Sequence, residues 1–156
     1  RGQALHQDNF YLAVKPFSCI AAWTAIDPAI PENGGLYVVP DTHNYPVVCP
    51  KEADPNESFF QHFVPPPEGK KAIPARLEPG DTLFFNGNVI HGSGPNRHET
   101  LWRRSYICHY LPSKAAYLAG MYNPCLRFDG TSLEVAANPD GGPCGKEWEG
   151  KLPYVA

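Results

Sequence analysis

Short apolar runs separated by turn-forming residues make up most of this 156-residue chain. The candidate strands cover residues 4–14, 17–26, 35–39, 73–77, 82–91 and 102–111. The 18 prolines and 14 glycines leave little room for long helices, and we expect only a short helix around 113–120. Short strands joined by glycine and proline turns predict an all-β fold, either a sandwich or a barrel.

The length is that of one domain with a real core, so we expect a single domain over 1–156. Residues 44–71 contain many prolines and no sustained periodicity, which predicts a long surface loop. Long loops in compact domains often cover a site. Residues 113–156 are predicted to form an irregular C-terminal extension.

The composition favours a small-molecule partner. A net charge of −3 argues against broad attraction to nucleic acid or to an anionic membrane. The sequence shows no run of about 20 apolar residues and no leader segment, so we expect no membrane association and a cytoplasmic location. The five scattered cysteines contain no C-x-x-C pair, which indicates free thiols.

The pentapeptide LHQDN contains a candidate pair of metal ligands, His6 and Asp8. On a strand, residues two apart point to the same face, so an imidazole and a carboxylate can reach one ion. Such a pair also arises by chance, as surface residues that hydrogen-bond a turn. A third ligand is needed to decide between the two interpretations.

His91 is the candidate third ligand, because it ends an apolar run and precedes the glycine-rich turn Gly92–Asn96. Taken alone, it is equally well explained as a core histidine that hydrogen-bonds a backbone carbonyl. Two histidines and one carboxylate together form the facial triad of non-heme Fe(II) oxygenases, which leaves coordination positions open. His6, Asp8 and His91 therefore predict an iron site, and an oxidative co-substrate needs a cation nearby.

Arg103 and Arg104 follow on the predicted strand 102–111, where alternation turns one of them inward. An inward arginine is costly unless an anion pairs with it. Arg103 shares a face with Ser105 and with His109, and the R-x-S pair suits a carboxylate. We therefore expect Arg103 to point inward and Arg104 to be solvated, although both would also fit as surface charges.

The chain resembles the phytanoyl-CoA dioxygenase family of Fe(II)/2-oxoglutarate oxygenases. The motifs that carry the resemblance appear in the family's order and are HQDNFY at 6–11, CIAAWTAID at 19–27, NGGLYVVPDTHN at 33–44, PGDTLFFNGNVIHGSGPN at 79–96 and WRRSYICHY at 102–110. They span most of residues 1–112. The resemblance implies a double-stranded β-helix, or cupin-like jelly roll, with Fe(II), 2-oxoglutarate and O2 as cofactors and co-substrates.

The resemblance also implies roles for individual residues. His6, Asp8 and His91 would hold iron, and Arg103 would pair with 2-oxoglutarate. Three further residues match positions that contact the co-substrate, and each has a plainer explanation as a core, turn or strand residue: Trp23, Ser93 and Ser105. The other histidines are not assigned to the metal; His43 is expected at the pocket rim, His62 and His98 in solvated loops, and His109 in the core or behind a ligand.

Family members usually carry a substantial segment before the H-x-D strand, and none precedes it here, so we expect an N-terminally truncated core with an unpaired sheet edge. Relatives that halogenate replace the carboxylate with a small residue, so the retained Asp8 favours hydroxylation of a small organic substrate. The alternative is a non-catalytic jelly-roll module that binds a small ligand or a structural metal such as zinc.

Overall fold

The structure is a computed structural model, and it describes residues 1–16 and 18–139. Thirteen short strands and one α-helix lie in these ranges, together with 3-10 turns at Pro31–Asn33 and Gly120–Tyr122. The elements are β1 Gln3–His6, α1 Asp8–Leu12, β2 Ile20–Ala25, β3 Leu36–Val38, β4 Lys51–Glu52, β5 His62–Phe63, β6 Ile73–Pro74, β7 Thr82–Asn86, β8 His91–Ser93, β9 Ser105–Tyr110, β10 Tyr117–Leu118, β11 Cys125–Leu126, β12 Ser132–Leu133 and β13 Ala136–Ala137.

Two antiparallel sheets form the body of the molecule. The first has the strand order β1-β8-β3-β6 and the second the order β7-β2-β9. Strands that are distant in sequence pair within each sheet, so the chain crosses repeatedly between the two. The remaining strands form three two-stranded pairs, β4-β5, β10-β13 and β11-β12.

The inner faces of the two sheets pack against each other. Trp23 and Phe85 from the second sheet and Leu36 from the first belong to one buried cluster. Alternation along β2 directs Ala21, Trp23 and Ala25 inward. Burial of this apolar surface is what holds the two sheets together.

The prediction of a strand over 4–14 is wrong beyond His6. The chain turns at Gln7 and continues as α1, and Ala13, the residue after the helix, has a φ of 49°. The side-chain carbonyl of Asn9 accepts a hydrogen bond from the backbone N–H of Val14 at 3.0 Å, which holds the turn that follows the helix. This local side-chain contact ends the helix after Leu12.

The predicted strand 82–91 is divided into two strands that belong to different sheets. Between β7 and β8, the N–H of Gly87 donates to the carbonyl of Cys19 and the N–H of Val89 to that of Asn86. A side chain on Gly87 would lie 2.5 Å from the sulfur of Cys19. Glycine at this position therefore allows the turn that delivers His91 to the first sheet.

The helix predicted over 113–120 is absent. Tyr117–Leu118 is a strand, Lys15 bridges to Tyr117, and the N–H of Ala119 donates to the carbonyl of Leu12 at 2.7 Å. These long-range hydrogen bonds to the end of α1 and to the segment after it replace the local ones of a helix.

The segment 44–71 packs on the outer side of the first sheet. It contains the hairpin β4-β5 and buries Phe60 and Val64, and Val64 joins a cluster with Val39 and Ile90. The free edge of β1 is also satisfied, because Gly2 exchanges backbone hydrogen bonds with residues 57 and 59 of this segment. The expected unpaired edge is therefore not found at β1.

The cysteines differ from the prediction at one position. Cys49 is disulfide-bonded, whereas Cys19, Cys108 and Cys125 are free thiols. Cys144 lies outside the described residues. Burial raises the pKa of the Cys19 thiol to about 12, which makes this side chain an inert part of the core.

None of the helices in residues 1–16 and 18–139 has the length and apolar character needed to cross a bilayer. The expected cytoplasmic location stays a prediction.

Candidate metal centre

His6 and His91 lie directly opposite each other on neighbouring strands. They are register partners in the β1-β8 pair, and their ring centroids are 4.3 Å apart. Their side chains are 6% and 4% exposed. The cross-strand pairing, which no local pattern reveals, brings together ligands that are far apart in the sequence.

Both imidazoles are held in the same tautomer by backbone carbonyls. Nδ1 of His6 lies 2.8 Å from the carbonyl oxygen of Ala4, and Nδ1 of His91 lies 2.9 Å from that of Val89. Because a carbonyl only accepts, each Nδ1 carries the proton and each Nε2 keeps its lone pair. This is the tautomer in which a histidine binds a metal through Nε2.

Asp8 completes the cluster from the first residue of α1. Its Oδ1 lies 3.4 Å from Nε2 of His6 and 3.6 Å from Nε2 of His91. The ligand atoms of the three residues all lie within 4.8 Å of one another. The sequence prediction placed His6 and Asp8 on one strand; the structure brings them together across a strand-to-helix corner instead.

The electrostatics of the cluster suit a cation. Burial alone would raise the pKa of Asp8, but the three histidines around it outweigh burial and hold that pKa well below its usual range. Burial lowers the pKa of His91 to about 4, so its imidazole is neutral at neutral pH. An ionised carboxylate oxygen and an Nε2 lone pair thus face each other, and a bound divalent cation would stabilise this arrangement.

Gln3 also contacts the cluster. Its side-chain amide donates to Nε2 of His6 at 3.1 Å, so this amide has to turn aside for His6 to bind a metal through Nε2. Sequence patterns gave no sign of this contact, because the register of β1 shifts between Gln3 and His6.

Gln7, between the two ligands, anchors the turn from β1 to α1. Its side chain is fully buried and donates to the carbonyls of Pro46 and Asn88, and its Oε1 accepts from the N–H of Val48. The middle residue of the H-x-D motif thus fastens both ligands to two neighbouring segments.

Replacing Gln7 by alanine is expected to lower the free energy of unfolding by about 2–4 kcal/mol, because three buried hydrogen bonds are lost and their partners remain. Chemical denaturation of the variant measures this change. Gln61→Ala is the matched control, since Gln61 is exposed, and should change the free energy by less than about 0.5 kcal/mol. Equal effects at the two positions would show that the buried amide does not anchor the turn.

Arg103 points inward, as predicted. Its Nε donates to the carbonyl of Gly34 at 3.0 Å, one terminal nitrogen lies 3.4 Å from Oγ of Ser105, and its guanidinium carbon lies 5.9 Å from the ring centroid of Trp23. It forms no ion pair with any residue that the structure describes. A half-buried guanidinium without a counter-ion is a ready site for an anion.

Arg104 points outward and pairs with Asp27. Two guanidinium nitrogens of Arg104 lie 2.9 and 2.8 Å from the two carboxylate oxygens. This pair lowers the pKa of Asp27 to about 2. Alternation therefore predicted correctly which of the two arginines points inward and which points outward.

The other residues matched by resemblance fall near the same region. Trp23 is 5% exposed and belongs to the core cluster, so it is at once a core aromatic and a neighbour of Arg103. Ser93 lies on β8 two residues after His91, and its hydroxyl accepts from the N–H of Gln3 at 3.3 Å.

His62 is not solvated, contrary to the sequence prediction. It is half-buried, its Nδ1 lies 3.1 Å from the hydroxyl of Tyr11, and the two rings stack. Tyr11 in turn meets the His6 ring edge-on at 6.1 Å. By contrast His43 and His98 are exposed.

A cavity of about 480 Å³ lies beside β1 and β8. Gln3 and Ser93 border it, and the segment 52–58, Tyr37 and the residues after β8 form much of its remaining wall. The side chains of the candidate metal ligands do not line this cavity.

The sequence also matches a known protein family. The phytanoyl-CoA dioxygenase (PhyH) family matches residues 1–105. The chain belongs to this family. Members of the phytanoyl-CoA dioxygenase family use Fe(II), 2-oxoglutarate and O2.

Two curated relatives illustrate the match. A probable phytanoyl-CoA dioxygenase of Caenorhabditis elegans is 39% identical over 110 residues, which are 68% of this chain and 35% of that protein. The peroxisomal phytanoyl-CoA dioxygenase of Homo sapiens is 34% identical over 118 residues, or 73% of this chain and 35% of that protein. The chain thus spans about a third of the length of these relatives.

Solved structures confirm the predicted jelly-roll fold. EvdO2 from Micromonospora carbonacea var. aurantiaca, complexed with 2-oxoglutarate, aligns with a TM-score of 0.54 at 21% identity and covers 74% of this chain and 49% of that one. The epimerase SnoN from nogalamycin biosynthesis, in complex with Fe3+, alpha ketoglutarate and nogalamycin RO, aligns with a TM-score of 0.57 at 24% identity. That alignment covers 87% of this chain and 53% of SnoN.

Proposed function

We propose that this chain is the catalytic core of an Fe(II)/2-oxoglutarate-dependent dioxygenase that hydroxylates a small organic substrate. The observation that carries the proposal is the buried cluster in which Nε2 of His6, Nε2 of His91 and Oδ1 of Asp8 converge. Two imidazoles and one carboxylate are the donor set of non-heme Fe(II) oxygenases. Membership of the phytanoyl-CoA dioxygenase family supports the same assignment.

His6, Asp8 and His91 would hold Fe(II) in this proposal. When bound, iron with 2-oxoglutarate and O2 supplies an oxidation in which 2-oxoglutarate becomes succinate and CO2, and the substrate gains a hydroxyl group. One oxygen atom of O2 enters succinate and the other enters the substrate. The protein contributes orientation, a positive charge for the co-substrate and burial of the reacting groups.

Arg103 would bind the distal carboxylate of 2-oxoglutarate. Its guanidinium lacks an acidic partner among the described residues, and Ser105 supplies a hydroxyl beside it. Trp23 and Ser93 would line the same pocket. The Nε hydrogen bond to Gly34 fixes the plane of the guanidinium, so its terminal nitrogens are oriented before the anion arrives.

Asp8 favours hydroxylation over halogenation. Its carboxylate occupies a position that would have to be small for a halide to bind beside the metal. It is also tied to three histidines in the structure, so it does not leave the cluster without loss of those contacts.

A non-catalytic module that binds structural zinc is the competing hypothesis. The three-ligand cluster alone would suit it, but Arg103 would then remain half-buried without an acidic partner in the part of the chain that the structure describes. The dioxygenase assignment explains the metal cluster and the arginine together.

We expect the intact protein to form succinate from 2-oxoglutarate only when Fe(II) is present, and to lose this activity when a chelator removes the metal. Succinate release in the presence of a panel of small organic acids and acyl thioesters measures it and identifies the substrate class. Restoration by Fe(II) but not by Zn²⁺ is expected. Tight Zn²⁺ binding without affinity for 2-oxoglutarate would instead support the structural module.

A further inference from the structure

His109 contacts the carboxylate of Asp8 from the opposite sheet. Its Nε2 lies 3.0 Å from Oδ2 of Asp8, the shortest contact that any of the three surrounding histidines makes with this residue. His109 lies near the end of β9, pairs with Ala21 of β2 and shares the inner face with Ser105. The histidine therefore reaches the first residue of α1 across the interior of the molecule.

The direction of this hydrogen bond follows from the chemistry of the two groups. Asp8 serves the proposed metal site as a carboxylate, and a carboxylate only accepts. The Nε2 of His109 must therefore donate. Its acceptor is Oδ2, whereas the oxygen that faces His6 and His91 is Oδ1.

We propose that His109 is a positioning residue that holds Asp8 so that a single oxygen, Oδ1, is offered to the metal. The proposal rests on the proposed function, since it assumes that Asp8 is a metal ligand. Without the N–H of His109, the carboxylate is free to rotate and present either oxygen or both. The role requires only a fixed N–H donor and does not require a charge on the imidazole.

The segment from Arg103 to His109 then contributes to both parts of the candidate site, the anion site and the metal site. Arg103, two residues before β9 begins, provides the site for the anion, and His109 orients the metal ligand. A residue that hydrogen-bonds a metal ligand typically changes metal affinity about 10–100-fold when it is lost. A shift of β9 would change both contacts at once.

The test is Co²⁺ binding to the intact protein in the absence of 2-oxoglutarate, followed by the absorption bands of the bound ion. We expect His109→Leu to weaken Co²⁺ binding by about 10–100-fold and to alter the spectrum. His109→Gln carries an amide N–H that can replace the donor, so it should restore most of the affinity and the wild-type spectrum. His43→Leu, at an exposed histidine, should leave both unchanged.

Wild-type affinity and spectrum in His109→Leu would overturn the positioning role while leaving the proposed function intact. Failure of the wild-type protein to bind Co²⁺ would instead overturn both. A glutamine variant that folds normally but binds as weakly as the leucine variant would also overturn it, because packing alone would then explain the loss. If leucine prevents folding, His109→Met, a flexible side chain without an N–H, is measured with the same two outcomes.

Discussion

Replacing Asp8 by asparagine is expected to reduce Fe(II)-dependent succinate formation by more than the roughly 10–100-fold that loss of an outer contact to a metal ligand costs. The substitution removes the only carboxylate of the cluster and leaves the two imidazoles without an anionic ligand beside them. The fold should persist, because an asparagine of the same shape can donate to the Nε2 lone pair of His6 or His91. Succinate release and thermal unfolding, measured on the same preparation, separate these two effects.

Asp41→Asn is the matched control for this experiment. Asp41 is exposed and pairs with Lys70 at 3.2 Å on the surface, and asparagine tolerates its φ of 58°. The control variant should form succinate at the wild-type rate, since exposed ion pairs contribute about 0–1 kcal/mol. Near wild-type activity in Asp8→Asn would show that the carboxylate of Asp8 is not a ligand of the proposed metal site.

The candidate metal ligands could be predicted from the sequence, but the turn that brings His6 and Asp8 together could not. His6 and Asp8 were paired on the assumption of a continuous strand, and alternation on a strand gave the right pair for the wrong reason. The real link is the corner at Gln7, which depends on hydrogen bonds to Pro46 and Asn88. Contacts between distant segments leave no periodic pattern in the sequence.

The inward direction of Arg103 was predictable because alternation continues from β9 into the residues just before it. Ser105 and His109 lie on the same face, as the period of two requires. What the period does not reveal is which residue of another element each side chain contacts. His109 was expected either in the core or in contact with a metal ligand. The second position is the one found, because β9 lies close enough to the start of α1 for His109 to contact Asp8.

The division of the run 82–91 into two strands is a second case in which periodicity in the sequence did not predict how segments pair. Its apolar residues lie close enough on either side of Asn86–Asn88 to suggest one strand, yet β7 belongs to the second sheet and β8 to the first. The signal was present in Gly87-Asn88, a pair that favours turns. This crossing is what sets His91 beside His6 while Phe85 stays in the core.

Replacing Arg103 by leucine is expected to raise the dissociation constant for 2-oxoglutarate by about 10–100-fold while leaving Co²⁺ binding unchanged. A hydrogen bond to a charged group contributes about 1.5–3 kcal/mol, and about 1.4 kcal/mol corresponds to a factor of ten. Arg103→Lys keeps the charge but not the planar fork, so its effect should be intermediate. Calorimetric titration of the Co²⁺-loaded protein with 2-oxoglutarate measures all three affinities.

Arg104→Leu is the control that makes this experiment decisive, because it removes the same charge one residue away. Arg104 is exposed and already paired with Asp27, whereas Arg103 has no acidic partner among the described residues. If long-range attraction by positive charge brought 2-oxoglutarate to the protein, the two leucine variants would weaken binding alike, and added salt would diminish both effects. If Arg103 binds the carboxylate directly, only its own substitution matters, and the loss persists at high salt because the guanidinium is half-buried.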